Sequence, residues 1–118
     1  MDDTETITAL AALAQPTRLD AFRRLVVAEP EGIAAGDLAR QLGVPQNTLS
    51  THLAILARAG LVSGERQSRS IVYRARLSRI HAVTRYLLED CCSGHPEICV
   101  PLVADLTPCC SPAAKVST

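Results

Sequence analysis

A mainly α-helical chain closed by a β-hairpin, in the element order ααααββα, is the fold class that this 118-residue sequence predicts. Three observations predict it. Apolar residues recur at helical spacing as far as Ala59, strand-like alternation takes over from Val62 to Arg74, and helical spacing returns from Ser78. The length allows one domain with a modest core, and not two. With one Phe, two Tyr and no Trp, the core is expected to be aliphatic, and binding through stacked aromatic rings is not expected.

In "TETITALAALAQ", Ile7, Leu10, Ala11 and Ala14 fall on one helical face, and Asp3 or Thr4 supplies the cap of a helix over residues 4–14. Pro16 suits the first turn of a second helix. Its buried stripe is Leu19, Phe22, Leu25 and Val26, its polar side carries Arg18, Arg23 and Arg24, and Pro30 follows its end. The loop "EPEGIAAG" leads to a short helix over Asp37 to Leu42, where Leu38 and Leu42 repeat at helical spacing and Gly43 ends the element. Pro45 opens the next helix, which buries Leu49, Leu53 and Leu56 and stops at Gly60. "LVSGERQSRSIVYRAR" then predicts a two-stranded hairpin with an arginine-bearing tip, its polar centre at Gln67 and Ser68. Ser78 caps a last helix, "SRIHAVTRYLLEDCC", with Ile80, Val83, Leu87 and Leu88 on or near one face. Beyond Cys92, Gly94, Pro96, Pro101, Pro108 and Pro112 interrupt a stretch without period, which predicts loop or disorder. The chain divides into a folded domain, residues 1–90, and a cysteine-rich, partly flexible tail, residues 91–118.

Charge is balanced overall and polarised along the chain. Between Arg40 and Arg79 stand Arg58, Arg66, Arg69, Arg74 and Arg76 as well, against Glu65 as the single acid, while the first forty residues hold most of the acids. A neutral protein so divided can present one face to a polyanion. Two helices joined by a tight turn and followed by a basic hairpin is the order of a winged helix-turn-helix. Ala39 is small where the two helices cross, Gly43 allows the turn, and Leu49 anchors the second helix. Opposite its apolar stripe that second helix offers Gln46, Asn47, Thr48, Ser50, Thr51 and His52, side chains able to hydrogen-bond base edges and phosphates in a major groove. Arg66, Arg69 and Arg74 of the hairpin would reach phosphate or the minor groove beside it. Double-stranded DNA is the partner these residues imply.

"DLARQLGVPQNTLSTHLAILARAGLVSGERQSRSIVYR" resembles the core of the ArsR/SmtB family of bacterial winged-helix repressors, and "LAQPTRLDAFRRLV" is similar to the family's second-helix motif with Pro-x-Arg-Leu. The resemblance covers roughly residues 5–90. It implies a homodimer held by the first and last helices, with paired recognition helices facing an inverted-repeat operator. The short apolar stripes of those two helices fit a two-fold interface, which needs the same patch on both chains.

Relatives of this kind differ in where the inducer binds. The family's Cys-Val-Cys site at the start of the helix-turn-helix is missing, since Ile33, Ala34 and Ala35 stand there, and of its zinc site on the last helix only His81 remains. What is left is "CCSGHPEIC": Cys91 and Cys92 adjacent at the helix end, and Cys99 after a six-residue, turn-prone segment. Soft thiolates select soft or thiophilic ions. Trivalent arsenic or antimony prefers three sulfurs in a pyramid, which a vicinal pair and one returning thiol supply, and an arsenite-responsive branch of the family is similar. As(III) or Sb(III) bound by Cys91, Cys92 and Cys99 is therefore the expected inducer, with no organic cofactor. Zinc or cadmium on the same thiols, with His95 as a fourth zinc ligand, and a disulfide or persulfide switch are the competing readings. Cys109 and Cys110 form a second pair, an auxiliary site or nothing.

An enzyme is not expected. A thiol oxidoreductase or arsenate reductase needs a reactive cysteine beside an anion loop, or a Cys-x-x-Cys turn on an α/β scaffold, and neither is present. The acidic start "MDDTETITAL" has no basic, apolar leader, and no apolar run approaches the roughly 18 residues that span a bilayer. The expectation is a cytoplasmic protein with reduced thiols and no membrane partner.

Overall fold

A computed structural model describes residues 1–89 of the chain. Cys91, Cys92, Cys99, Cys109 and Cys110 lie outside the described residues, and the ligand expectations placed on them with them. The elements run α1 (Asp3–Leu13), α2 (Pro16–Val27), β1 (Ile33–Ala34), α3 (Ala35–Leu42), α4 (Gln46–Arg58), β2 (Val62–Gln67), β3 (Ser70–Ala75) and α5 (Leu77–Glu89). Residues 1–83 form one compact unit, and the second unit, from Thr84 on, is described only over the closing turns of α5.

Local chemistry sets most of the boundaries. Helix α1 begins one residue earlier than expected because Asp2 and Glu5 close a capping box: Asp2 Oδ1 accepts the Glu5 N–H at 2.8 Å, and Glu5 Oε1 accepts the Asp2 N–H at 3.2 Å. Gln15 caps α2, its side-chain oxygen accepting the Arg18 N–H at 2.8 Å, and Pro16 takes the first position, where no donor is lost. Helix α3 ends at Gly43 with φ +68°, while the Val44 N–H turns back to the Ala39 carbonyl at 3.1 Å. Three residues later α4 has begun, which gives the tight turn expected between the paired helices.

The core is one aliphatic cluster. Leu49, Leu53 and Leu56 of α4, each fully buried, meet Leu38 and Ala39 of α3, Phe22 and Leu25 of α2, Ala9 and Ala12 of α1, and Leu61 and Val62 leading into β2. Complete burial of a leucine side chain stabilises by about 1.5–3 kcal/mol, so the α4 stripe fixes which side of that helix faces out.

The two outer helices differ in how they meet the core, and the α2 stripe is corrected. On α1 the core is reached by Thr6, Ala9 and Ala12, and the Ile7, Leu10, Ala11 and Ala14 stripe faces away from it. On α2 Ala21 is buried with Phe22 and Leu25, while Leu19 and Val26 are exposed. On α1 a narrow row of small residues lets the backbones approach, whereas α2 buries the large Phe22 and Leu25 with Ala21 beside them. The sheet also gains a strand. It is antiparallel in the order β1-β3-β2, with Ile33 opposite Tyr73 and Ala34 opposite Val72. A two-residue strand is too short to show alternation, which is why the segment reads as loop in the sequence. The β2–β3 register pairs Gln67 with Ser70 around a two-residue turn, and Ser68 takes the positive φ of 58° that such a turn requires.

Candidate nucleic-acid interface

The face of α4 opposite its leucines is polar and open. Gln46, Asn47, Thr48, Ser50 and Thr51 are all exposed, so the structure brings five of the six predicted residues onto one accessible surface. Several already make local bonds. Ser50 Oγ donates to the Gln46 carbonyl at 3.0 Å, Thr51 Oγ1 to the Asn47 carbonyl at 3.4 Å, and Asn47 Oδ1 accepts the Thr48 N–H at 3.0 Å. The two hydroxyls thus present lone pairs outward, suited to base amino groups, while the Asn47 NH₂ and the whole Gln46 amide remain available for adenine-type edges.

His52, the sixth, is placed differently. It is half-buried, and its Nδ1 lies 3.3 Å from an Arg18 guanidinium nitrogen. Arg18 reads in the sequence only as part of the polar side of α2. No local signal pairs residues 34 apart, and only the fold joins them.

Arg66 and Arg69 lie at the tip of the β2–β3 hairpin and are exposed. Arg74 stands farther back, opposite Ser63, where its side-chain stem passes over Gly32. Among the described residues Arg58, Arg66, Arg69, Arg74 and Arg76 have no ion-pair partner, whereas Arg24 pairs with Asp20, Arg40 with Asp37, and Arg79 with Glu5. Glu65, the acid of the hairpin, accepts from Gln67 Nε2 at 3.2 Å. Arg18 and Arg23 of α2 and Arg85 of α5 have no ion-pair partner either, so α4, the hairpin and the residue before α5 carry five of the eight unpaired arginines among the described residues.

Apolar side chains are exposed on α1, α2 and α5, Val27 of α2 the most at 86%. Ile7 is 64% exposed and Leu10 40%, with Ala11 and Ala14 exposed beside them on α1; Leu87 of α5 is 50% exposed. Among the described residues the alternative sensor positions hold a single potential ligand, His81. Ile33 and Ala34 form β1, Ala35 opens α3, and His81 is an exposed residue of α5. Among the described residues no three His, Cys, Asp or Glu side chains come together in a way that could hold a metal ion.

Comparison with known proteins places this geometry. A family model described as a helix-turn-helix domain matches residues 13–65. The transcriptional repressor SmtB of Mycobacterium tuberculosis is 40% identical over 65 residues, 55% of this chain and 46% of that protein. The chain spans about half the length of the curated relatives it matches. The crystal structure of the transcriptional repressor BigR from Xylella fastidiosa is 31% identical, with a TM-score of 0.57 over 72% of this chain and 86% of that one. An ArsR-like transcriptional regulator from Rhodococcus sp. RHA1 superposes with a TM-score of 0.67 at 26% identity, over 82% of this chain and 89% of that one.

Proposed function

The chain belongs to the ArsR/SmtB family of winged-helix transcriptional regulators, and from that premise we propose that it is a metalloid-responsive repressor. It binds, as a homodimer, an inverted-repeat operator of an arsenic-resistance operon. It leaves that operator when As(III) or Sb(III) is taken by the thiolates of Cys91, Cys92 and Cys99. The DNA half of the reading is supported by the exposed polar face of α4 beside a hairpin of unpaired arginines. The dimer half is supported by the α1 stripe, Ile7, Leu10, Ala11 and Ala14, which the monomer leaves in water and a two-fold partner would cover.

The observation that carries the sensing half is the pattern Cys91-Cys92, six residues, Cys99, directly after the last helix. These are soft donors in a number that matches pyramidal As(III), and no competing ligand cluster stands among the described residues. Bound there, the inducer would act at the end of α5 and change the spacing of the two recognition helices. To displace the operator it must favour the DNA-free form, and couplings of this kind amount to about 1–3 kcal/mol. Each thiol must lose its proton to ligate, so binding releases protons. The competing reading keeps the same cysteines, with His95 as a fourth zinc ligand, and has zinc, cadmium or persulfide formation supply the signal.

The test is fluorescence anisotropy of a labelled duplex from the region upstream of its own gene, with the reduced chain and with Cys92→Ser. Arsenite, zinc, cadmium and polysulfide are titrated separately. Release by arsenite that the substitution abolishes is the expected result. Binding that arsenite leaves intact, and that zinc or polysulfide breaks, replaces the signal and keeps the repressor.

A further inference from the structure

The fold gives Arg18 two acceptors on two different helices. From the first turn of α2, its Nε–H donates to the Ala12 carbonyl in the last turn of α1 at 2.6 Å, and its NH1 group faces His52 Nδ1 on α4 at 3.3 Å. The Ala12 carbonyl belongs to the set that a helix end leaves without an intrahelical donor, and a cation there is also favoured by the helix dipole. A guanidinium has donors only and keeps its protons at every working pH. The imidazole nitrogen facing it must therefore be the one with the lone pair, which puts the ring proton of a neutral His52 on Nε2.

We propose that Arg18 is a positioning residue for operator binding, acting through His52: it holds the ring in the Nε2–H tautomer and anchors the recognition helix to the end of α1. His52 stands between the buried leucine row and the exposed polar face, as its half-burial records. With Nδ1 engaged, the ring meets DNA as a donor, the role a phosphate oxygen or the O6 and N7 acceptors of guanine call for. The role rests on the DNA-binding reading above. It adds to that reading a residue outside α4 and the hairpin, and it assigns His52 a defined hydrogen-bond polarity.

The experiment uses the full reduced chain and the same labelled duplex. Operator affinity is measured for wild type, Arg18→Met, His52→Ala, the double variant and His52→Gln, and the ring tautomer is read by nitrogen-15 NMR of the DNA-free protein. Arg18→Met and His52→Ala should each weaken binding about tenfold, the order expected for a lost charge-assisted hydrogen bond. The double variant should be no weaker than the poorer single one, because either substitution breaks the same contact. His52→Gln, whose amide accepts and donates in turn, should retain most of the affinity, which a purely packing role of the ring would not predict. Wild-type His52 should carry its proton on Nε2 alone, and Arg18→Met should mix the tautomers. A wild-type chain that binds no duplex overturns the DNA reading and this role together. A wild type that binds, with losses that multiply to about a hundredfold in the double variant or a ring already of mixed tautomer, overturns the positioning role alone.

Discussion

Gly60 and Gly43 make a matched pair for measuring what the left-handed backbone costs in this fold. Both have positive φ, +80° and +68°. An alanine methyl at Gly43 would meet nothing within 4 Å, whereas at Gly60 it would lie 2.7 Å from Arg79 Nε and 3.0 Å from its NH2. Gly43→Ala therefore feels the backbone alone. That penalty is about 1–2 kcal/mol, offset by about 0.4–1 kcal/mol because alanine narrows the unfolded ensemble. The net destabilisation is roughly 1 kcal/mol. At Gly60 the obstructing atoms are the far end of a flexible side chain, which can swing aside at the loss of its 3.5 Å contact with Glu5. Arg79 and Glu5 are 30% and 49% exposed, so screening holds that ion pair to a few tenths of a kcal/mol. Gly60→Ala should accordingly cost only slightly more than Gly43→Ala, and the excess should vanish in an Arg79→Ala background. Urea denaturation at one fixed protein concentration, followed by far-ultraviolet circular dichroism, gives the three differences; fixing concentration matters because dimerisation would stabilise by mass action. A Gly60→Ala cost several times that of Gly43→Ala, persisting without Arg79, would refute the reasoning. It would mean that the end of α4 is held by backbone packing and not by an adjustable side chain.

Leu53→Ala should destabilise by about 2–5 kcal/mol, since Leu53 is fully buried at the centre of the α4 stripe; the shift of the urea midpoint measures it. Replacing Arg66 and Arg69 together by alanine should weaken operator binding nearly equally for matched and mismatched duplexes, and should lower the slope of log affinity against log salt by up to about 2. Asn47→Ala with Thr51→Ala should instead reduce discrimination between the two duplexes and leave the sedimentation coefficient of the protein unchanged. Arsenite-driven release should need more arsenite at mildly acid than at mildly alkaline pH, because thiols with a reference pKa near 8.5 must ionise to ligate; titrations at constant ionic strength would reveal a flat response if thiolates are not involved.

The sequence made the helix-turn-helix legible because each of its steps carries a mechanical signature. Leu49, Leu53 and Leu56 mark a face, Gly43 and Gly60 mark the ends, and Pro45 marks a start. Legibility fell where a feature depends on distant partners. Strand β1 exists because Tyr73 and Val72 offer it a ladder, and Arg18 meets His52 because α1, α2 and α4 share one corner of the core. On α1 and α2, periodicity identified an apolar stripe without saying which side of it lies inside. On α1 Ala9 and Ala12 take the interior by closeness of approach and leave Ile7 and Leu10 outside, while on α2 Ala21 joins Phe22 and Leu25 inside and Leu19 and Val26 stay out.

Strand β1 also changes what the hairpin can do. Its two ladder pairs tie the residues that lead directly into α3 to the central strand of the sheet, so the wing is bolted to the frame that carries the recognition helix. An attachment at that point leaves little freedom for the wing to swing independently. In a two-fold assembly each half would meet the double helix as a single stiff jaw, and under the proposed function a signal from the tail would have one coordinate left to work on: the gape between two jaws whose pitch must match a turn of DNA.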